Sequence, residues 1–400
     1  MITLLDSLTD EQRTAVHSNW RWTSVQAGPG SGKTRVLAAR IAWLVDQGAD
    51  PRRICALVFT RSAAAEIRER LFGAIGHITG MVRVSTFHAF AAEYVVPDGF
   101  RVATETEADA ALRSIYDGPT RRQRGLPGIA AVRRGIMAHE SVCHPPHHER
   151  DAITIVRHRL EEARLIATWD LVPRFLEHGG CTFFDHVLVD EAQDCTANEG
   201  TMASGILENG EYLFTVGDPR QAIFGWRGAR PDAFRDHNVH HTEMVLTRTF
   251  RFGPEIAQLA NSISDRFDGG RIVGNSDIDS DCYMEPMDQA LDANDPRNTA
   301  ILCRTNMECD AIEREYTGIV QWVRRDPLDA FAHESDRFGD AWADGKAVVS
   351  TVHSFKGREA DTIIIAMDPN SRSEDVEEER VLYVAVTRAR HRLIISKALP

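Results

Sequence analysis

Near the start of the chain stands the stretch Ala27-Gly28-Pro29-Gly30-Ser31-Gly32-Lys33-Thr34. An apolar, β-branched run precedes it, and an amphipathic pattern predicts a helix from Thr34 to Gln47. Glycines at such a junction allow backbone N–H groups to converge on a phosphate at the N-terminus of the helix. The stretch therefore predicts a nucleotide phosphate loop, in which Lys33 reaches the β- and γ-phosphates and the Thr34 hydroxyl ligates Mg²⁺. A glycine-rich turn without a ligand is the alternative.

A pair of carboxylates follows another apolar run. Val187 to Val189 leads directly into Asp190 and Glu191. Here we expect Asp190 to hold Mg²⁺, directly or through water, and Glu191 to polarise the attacking water. Alone, such a pair is more typical of a solvated helix start. Together with Lys33 and Thr34, it predicts a nucleoside triphosphate hydrolase.

Apolar runs alternate with amphipathic helical patterns along most of the chain, for example the helical pattern from Ser62 to Phe72. This alternation predicts an α/β fold with parallel sheets flanked by helices. The predicted strands are Thr23 to Ala27, Cys55 to Thr60, Val82 to Thr86, His186 to Asp190, Leu213 to Gly217, Thr299 to Arg304, Ala347 to Thr351 and Thr362 to Ala366. Residues 96–180 instead form a mostly helical, Arg-rich insertion, and residues 319–345 show no clear period.

Composition narrows the class of protein. A chain of 400 residues, 43% hydrophobic and 26% charged, predicts about two or three globular domains and excludes disordered, collagen-like and disulfide-scaffold proteins. Its apolar runs fall well short of the ~20 residues of a membrane span. Acidic residues stand near the start, where a signal peptide would be basic and apolar, and the seven cysteines form no CxxC pair. We therefore expect a cytoplasmic protein without membrane contact.

The charge balance restricts how nucleic acid could be bound. Asp and Glu outnumber Lys and Arg by 59 to 46, which gives a formal net charge of −13. A nucleic-acid partner would need a local basic or aromatic track rather than attraction to the whole molecule. Acidic residues are concentrated at 374–379. Positive charge is concentrated in Arg121, Arg122, Arg124, Arg133 and Arg134.

Further motifs follow one another in a defined order. They are Leu8 to Gln12, Ser85 to Phe90, Asp190 to Gln193, Gly217 to Ala229, Ser350 to Gly357 and Tyr383 to Arg390. With the phosphate loop, they resemble superfamily 1 DNA helicases of the UvrD/Rep/PcrA type. The resemblance implies two RecA-like P-loop domains, with ATP and Mg²⁺ in the cleft between them and single-stranded DNA across their top.

The resemblance also implies a domain organisation. Residues 1–95 and 181–245 would form the first RecA-like domain (1A), residues 96–180 an inserted helical subdomain (1B), and residues 246–400 the second RecA-like domain (2A). The family's large 2B domain would be reduced to a short connection around 307–346. The arginine cluster of 1B is expected to grip duplex phosphates. A solvated helix face is the alternative.

Several roles at the nucleotide are implied by the same resemblance. Gln12 would read adenine, Phe250 would stack on the base where the family usually has Tyr, and Glu359 would contact the ribose. Gln221 would sense the γ-phosphate, while Arg251 and Arg388 would act as arginine fingers, with surface ion pairs as the alternative. The predicted catalytic residues are Lys33, Asp190, Glu191, Gln221, Arg251 and Arg388. The nucleotide-binding residues are Gln12, Ala27, Gly28, Pro29, Gly30, Ser31, Gly32, Lys33, Thr34, Arg35, Phe250, Arg251, Glu359 and Arg388.

The implied DNA-binding residues are of two kinds. Phe59, Phe224 and Trp226 match positions whose rings stack on bases without sequence preference, although Phe59 could instead be a core aromatic. Hydroxyl and imidazole groups are expected on phosphate oxygens. These belong to Thr86, His88, Thr351 and His353. The sequence Phe59-Thr60-Arg61-Ser62 departs from the family's pattern, which suggests one rearranged backbone contact to DNA.

One cluster lies outside the family's pattern: His139, Cys143, His144, His147 and His148. Spacings of four could place two metal ligands on one helix face, but Pro145-Pro146 interrupts a helix and CxxC ligands are missing.

The leading hypothesis is an ATP-dependent 3′-to-5′ translocase and helicase that acts as a monomer on single-stranded DNA and on junctions with duplex. Alternatives are a translocase that strips proteins from DNA, with or without a protein partner, and a DNA-binding ATPase module with little unwinding.

Overall fold

The computed structural model describes residues 2–116, 129–141, 147–180, 183–234, 241–265, 267, 270–323, 337–366 and 376–396. The helices are α1 (Ile2–Asp6), α2 (Asp10–Val16), α3 (Lys33–Asp46), α4 (Arg61–Ile75), α5 (Phe87–Val95), α6 (Glu105–Tyr116), α7 (Ile129–Ser141), α8 (His147–Glu162), α9 (Leu171–Glu177), α10 (Ala197–Gly205), α11 (Pro254–Ser264), α12 (Met287–Ala293), α13 (Asn306–Glu315), α14 (Arg337–Ala343), α15 (Val352–Phe355) and α16 (Val376–Val386).

The strands are β1 (Trp22–Ala27), β2 (Ile54–Val58), β3 (Arg83–Thr86), β4 (Arg101–Val102), β5 (Leu165–Ile166), β6 (Phe184–Val189), β7 (Leu207–Gly217), β8 (His241–Leu246), β9 (Asp281–Met284), β10 (Thr299–Cys303), β11 (Val320–Trp322), β12 (Ala347–Thr351), β13 (Ala360–Ile365) and β14 (Ala389–Ile395). They form two sheets of six strands and one pair.

The first sheet has the strand order β3-β2-β6-β7-β1-β8. Strand β2 runs parallel to β3 and β6, and β6 runs parallel to β7. All five residues of β2 are buried, as expected for a strand covered on both faces. Because Leu57 is paired with Val189, the ends of β2 and β6 lie level. Asp190 therefore stands at the carboxyl edge of this sheet, where its backbone N–H donates to Leu57 O.

The second sheet has the order β11-β12-β10-β13-β14-β9, and all of its neighbouring strands are parallel. Its central strand β10 alternates between two hydrophobic clusters. Ala300 and Leu302 belong to one cluster, and Ile301 and Cys303 belong to the other. Because Cys303 is paired with Thr351, the residues after β10 and β12 meet at one edge.

Contacts divide the chain into two compact units. Unit 1 comprises residues 1–25, 33–217 and 224–244, and unit 2 comprises residues 26–32, 218–223 and 245–400. Residues 26–32, which include most of the glycine-rich loop, and residues 218–223 belong to unit 2 in this division.

The described part of the insertion contains α6, α7 and α8 and the parallel pair β4–β5. These elements enclose a small apolar core of their own. Beside it lies Asp170, which is 1% exposed. Its carboxylate accepts hydrogen bonds from Arg157 Nε at 2.7 Å and Arg174 Nε at 2.5 Å, and His139 Nε2 lies 3.3 Å away. Burial disfavours the charged form, but these partners outweigh it and lower the pKa of Asp170.

We expect Asp170→Asn to lower the free energy of unfolding by about 3 kcal/mol at neutral pH, because it leaves two partly buried arginines without their anion. The lowered pKa of Asp170 means that the wild-type stabilisation is present above the usual carboxyl range and is lost as the pH falls. Chemical denaturation at neutral and acidic pH measures both effects. Asp277→Asn, at an exposed position, is the control. Equal stability of both variants would contradict this assignment.

All eight predicted strands are present, with ends displaced by a few residues, and the predicted α/β class is confirmed. The prediction missed β4, β5, β8, β9, β11 and β14. Strands β8 and β9 are sheet edges with largely exposed residues, so they carry little apolar signal.

The segment 307–346 contains most of α13, then β11 and then α14, and β11 pairs with β12. Among the described residues, no helix is long and apolar enough to cross a lipid bilayer.

Candidate nucleotide and nucleic-acid sites

The glycine-rich loop has the backbone that the sequence predicts. Gly30 and Gly32 adopt φ values of +70° and +86°, which glycine tolerates without strain. The Ser31 hydroxyl donates to Gly28 O at 2.7 Å and closes the turn. Within unit 2, the Thr249 hydroxyl donates to Pro29 O at 2.8 Å, and a Cβ on Gly30 would lie 2.5 Å from Thr249 Oγ1. A glycine is therefore required at this position.

Lys33 and Thr34 begin helix α3 directly after this loop. In unit 1, Asp190 is 5% exposed and Glu191 adopts a left-handed backbone with φ of 47°. This conformation is uncommon for a residue with a side chain and is typical of functional sites. Gln193 Nε2 donates to Glu191 Oε2 at 2.8 Å. The Glu191 carboxylate is thus oriented by a neighbouring amide.

The electrostatics of the carboxylate pair fit a cation. Burial and the adjacent charge of Glu191 raise the pKa of Asp190 to about 7, and the ammonium of Lys33 only partly offsets them. A bound divalent cation would favour the ionised form of Asp190. Carboxylate and hydroxyl oxygens are the ligands that Mg²⁺ prefers. Asp190 and Thr34 are therefore chemically suited to hold Mg²⁺.

Gln221 lies at the centre of a buried polar network in unit 2. Arg388 Nη2 donates to Gln221 Oε1 at 2.7 Å, so the expected γ-phosphate sensor and one expected arginine finger are directly bonded. Gln221 Nε2 donates to Asp218 Oδ2 at 2.9 Å, and the Tyr383 hydroxyl donates to the same oxygen at 3.1 Å. Lys356 Nζ donates to Gln221 O at 2.6 Å. Sequence reasoning assigned no role to Asp218, Tyr383 or Lys356, although all three lie inside the quoted motifs.

The second expected arginine finger pairs with the expected ribose contact. Arg251 Nε lies 2.6 Å from Glu359 Oε2, and Arg390 Nε donates to Glu359 Oε1 at 2.9 Å. Arg251 Nη1 also donates to Thr387 O at 2.9 Å. Burial disfavours the charged form of Glu359, but the two guanidinium groups keep its pKa below the usual range. Glu359 therefore orients Arg251.

The remaining nucleotide residues lie in separate local settings. Gln12 is buried in α2, where its Oε1 accepts from Thr9 N at 3.1 Å in a capping box. Arg35 Nη2 donates to Ser7 O at 3.0 Å. The Phe250 ring is 41% exposed, and the guanidinium carbon of Arg248 lies 5.3 Å from its centroid. An exposed ring of this kind can stack on a base.

Two expected base-stacking rings adjoin one another in unit 1. The Trp226 side chain is 43% exposed, and its ring centroid lies 6.4 Å from that of Phe224. Phe59 is half-buried against Phe87. Thr86 Oγ1 accepts from Ala89 N at 3.2 Å and caps α5. Of these rings, that of Trp226 is therefore the most accessible to a stacking base.

The insertion contributes a charge beside the expected DNA residue His88. Glu140, near the end of α7, places Oε1 3.5 Å from His88 Nε2 and 3.5 Å from Arg227 Nη2. Burial opposes its ionisation, but His88 and Arg227 lower the pKa of Glu140. Asn198 Nδ2 donates to the backbone oxygens of His139 and Glu140 at 3.0 and 2.9 Å. Sequence reasoning missed Glu140, because no spacing rule connects it with His88.

In unit 2, the other two expected DNA residues are substantially buried. Thr351 Oγ1 donates to Ser354 Oγ at 3.0 Å and accepts from Ser354 N at 3.2 Å, which caps α15. Burial and the charge of Arg304 lower the pKa of His353 to about 4. His353 is therefore neutral near pH 7. Any phosphate contact it makes there would be a hydrogen bond rather than an ion pair.

Two expectations fall partly outside the described residues. Cys143 and His144 lie outside them, while His139 is bonded to Asp170, and the described residues contain no group of three or more side chains able to hold a metal. Arg121, Arg122 and Arg124 also lie outside the described residues. Arg133 Nη2 lies 3.0 Å from Asp109 Oδ1, so its charge is partly compensated.

Two parallel sheets flanked by helices, a glycine-rich loop at a helix N-terminus and a carboxylate pair at a strand end define a P-loop nucleotide-binding protein. The UvrD/REP helicase N-terminal domain matches residues 8–123 and 180–241, and the UvrD-like helicase C-terminal domain matches residues 346–396. The chain belongs to the UvrD-like helicase family.

Similar proteins carry helicase names. The chain is 28% identical over 295 residues to the probable DNA helicase II homolog of Mycoplasma capricolum, covering 65% of this chain and 41% of the relative. It is 27% identical over 327 residues to DNA helicase II of Escherichia coli (72% and 45%). It is 26% identical over 367 residues to ATP-dependent DNA helicase PcrA of Staphylococcus aureus (79% and 50%). The chain thus spans half or less of the length of these relatives.

Proposed function

We propose that this chain is an ATP-dependent single-stranded DNA translocase and DNA helicase. The observation that carries the proposal is the 2.7 Å hydrogen bond between Arg388 and Gln221, in a chain that also has the phosphate loop and the Asp190–Glu191 pair. A glutamine bonded to an arginine can respond to a phosphate group, because loss of that group changes the partners of both side chains. Such a response is what couples nucleotide hydrolysis to movement.

The proposed roles at the nucleotide follow from side-chain chemistry. The loop from Ala27 to Gly32 presents backbone N–H groups to the phosphates, and Lys33 neutralises β- and γ-phosphate charge. Thr34 and Asp190 hold Mg²⁺, which supplies further charge neutralisation at the phosphates when bound. Glu191 orients the attacking water and accepts its proton. Arg251 and Arg388 stabilise the charge that develops on the transferred phosphoryl group.

The proposed substrate is single-stranded DNA and its junctions with duplex, with movement from 3′ to 5′ by a monomer in the cytoplasm. Phe224 and Trp226 stack on bases, while His88 and Thr351 contact phosphates. We assign residues 1–95 and 181–245 to domain 1A, 96–180 to 1B and 246–400 to 2A. The segment around 307–346 stands in the place of 2B.

Steady-state ATP hydrolysis with and without single-stranded DNA tests this proposal, together with unwinding of 3′-tailed and 5′-tailed duplexes. Strong DNA stimulation and unwinding from the 3′ tail alone are expected. Stimulation without unwinding would instead favour a translocase that strips proteins from DNA or needs a partner. ATP turnover that ignores DNA would contradict the proposal.

We expect Trp226→Ala to weaken single-stranded DNA binding by about 5- to 150-fold, because base stacking on an aromatic ring contributes about 1–3 kcal/mol. Turnover of ATP without DNA should change little. Fluorescence anisotropy with a labelled oligothymidine measures the affinity. Trp20→Ala is the matched control, because Trp20 is 55% exposed in the same unit. Equal losses in both variants would refute the specific role of Trp226.

A further inference from the structure

The end of helix α7, in the insertion, is fixed to helix α10. The last carbonyl groups of a helix lack partners within it and must find them elsewhere. Asn198 in α10 is 1% exposed, and its Nδ2 donates to His139 O at 3.0 Å and to Glu140 O at 2.9 Å. Glu140 and Ser141, the last two residues of α7, are therefore held in place by a contact outside the insertion.

The short turn Gly225–Arg227, which carries Trp226 and is called the tryptophan turn below, packs against this end of α7. Ser141 Oγ lies 3.0 Å from Arg227 O and 2.6 Å from Met137 O, so its hydroxyl can donate to either. Gly228 directly follows the turn with φ of +89°, and a Cβ there would collide with Ser141 Oγ. The insertion therefore forms one wall of the tryptophan turn.

Glu140 adds a charge to this packing. Its side chain is 11% exposed, and its Oε1 lies 3.5 Å from both His88 Nε2 and Arg227 Nη2. Arg227 directly follows Trp226, and His88 is a proposed phosphate contact. Burial disfavours the charged form of Arg227, but the neighbouring carboxylates, that of Glu140 first, outweigh it and raise the pKa of Arg227. Glu140 thus lies between two residues of the proposed DNA-binding surface.

The position of Glu140 in its own helix does not explain its charge. Glu140 stands in the last turn of α7, where the carbonyl end of the helix disfavours a negative side chain. Glu199 differs from it, because Glu199 lies 4.0 Å from Arg227 Nη2 but also accepts from Thr196 N at 2.8 Å in the capping box of α10. The contacts that favour a carboxylate at Glu140 are therefore tertiary, with His88 and Arg227.

We propose that Glu140 and Ser141 are positioning residues for single-stranded DNA, which hold His88 and the tryptophan turn in the arrangement that the strand binds. This inference rests on the proposed DNA-binding function. Neither side chain needs to touch DNA, because each acts through a neighbour. An effect of charge alone would have the opposite sign, since a carboxylate repels phosphates and its removal would tighten DNA binding.

Glu140→Gln tests the proposal, because it keeps the shape of the side chain and removes the charge that faces Arg227. We expect it to weaken binding of labelled oligothymidine by about tenfold. The DNA concentration for half-maximal stimulation of ATP turnover should rise by a similar factor, while the maximal stimulated rate stays the same. Ser141→Ala should show the same pattern at about threefold. Glu161→Gln, which removes an insertion ion pair with Arg174 at 2.6 Å, is the matched control and should bind as wild type.

A double-mutant cycle with Trp226→Ala separates positioning from a general loss of stability. In the Trp226→Ala background, the loss caused by Glu140→Gln should shrink to about threefold, because its effect passes partly through the tryptophan turn. Thermal unfolding checks that the variants are folded, and Ser141→Ala decides in the same cycle if Glu140→Gln is not.

Three results would overturn the proposal while leaving the DNA-binding function intact. Glu140→Gln binds oligothymidine as tightly as wild type or more tightly, or its loss is the same with and without Trp226. Glu161→Gln loses as much affinity as Glu140→Gln, which would indicate a general loosening of the insertion. A wild-type chain that does not bind oligothymidine would instead overturn the proposed function together with this inference.

Discussion

Replacement of Glu191 by Gln is expected to lower kcat for ATP hydrolysis by about 10²- to 10⁴-fold, because the amide cannot accept the proton of the attacking water. ATP binding should persist. The substitution keeps the shape of the side chain and an oxygen that can accept from Gln193 Nε2, now 2.8 Å from Glu191 Oε2. The variant therefore separates binding of ATP from its hydrolysis.

Steady-state turnover and equilibrium binding of a fluorescent ATP analogue measure the two quantities for Glu191→Gln. Glu69→Gln, at an exposed position of α4 in the same unit, is the matched control and should behave as wild type. If Glu191→Gln retains more than about a tenth of wild-type kcat, general-base catalysis by Glu191 is wrong, since its expected contribution is larger.

Replacement of Lys33 by Met is expected to lower kcat by about 10²- to 10³-fold and also to weaken ATP binding, because it removes a preorganised cation from the phosphates. The methionine side chain retains most of the apolar stem of lysine, so α3 should still form after the loop. Lys33→Met is therefore expected to lower ATP binding as well as ATP turnover, whereas Glu191→Gln is expected to lower turnover alone.

Lys346→Met is the matched control for Lys33→Met, because Lys346 is half-exposed in the turn between α14 and β12. The same turnover and binding assays apply, and thermal unfolding checks that both variants are folded. Tight ATP binding by Lys33→Met would show that the loop backbone alone holds the phosphates. Lys33 would then lose its proposed binding role and keep only a catalytic one.

Much of the fold could be predicted because its signals are local. The buried strands β2, β10 and β13 are short runs of apolar residues, many of them β-branched, and each was predicted within two or three residues of its observed ends. Strands β8 and β9 were missed because exposed edges allow polar residues. Strand β14 was missed because its first half, Ala389 to Arg392, carries charges that conceal an apolar end.

Some features of the candidate site could likewise be predicted from local sequence signals, and others could not. The phosphate loop could be predicted because glycines at 30 and 32 are required by the local backbone, whose φ values are positive. The left-handed conformation of Glu191 leaves no comparable signal, because glutamate is not selected for it. The contact of Glu140 with His88 joins residues 52 positions apart, and a helical insertion brings them together.

By itself, the sequence determined that this is an α/β protein with a phosphate loop, a carboxylate pair and motifs ordered as in UvrD-like helicases. These features depend on residue types at fixed spacing within one turn or strand. Only the tertiary structure decided that Arg388 bonds Gln221 and that Tyr383 bonds Asp218. Each of these contacts joins residues that are far apart in the sequence, so it depends on how strands and helices pack.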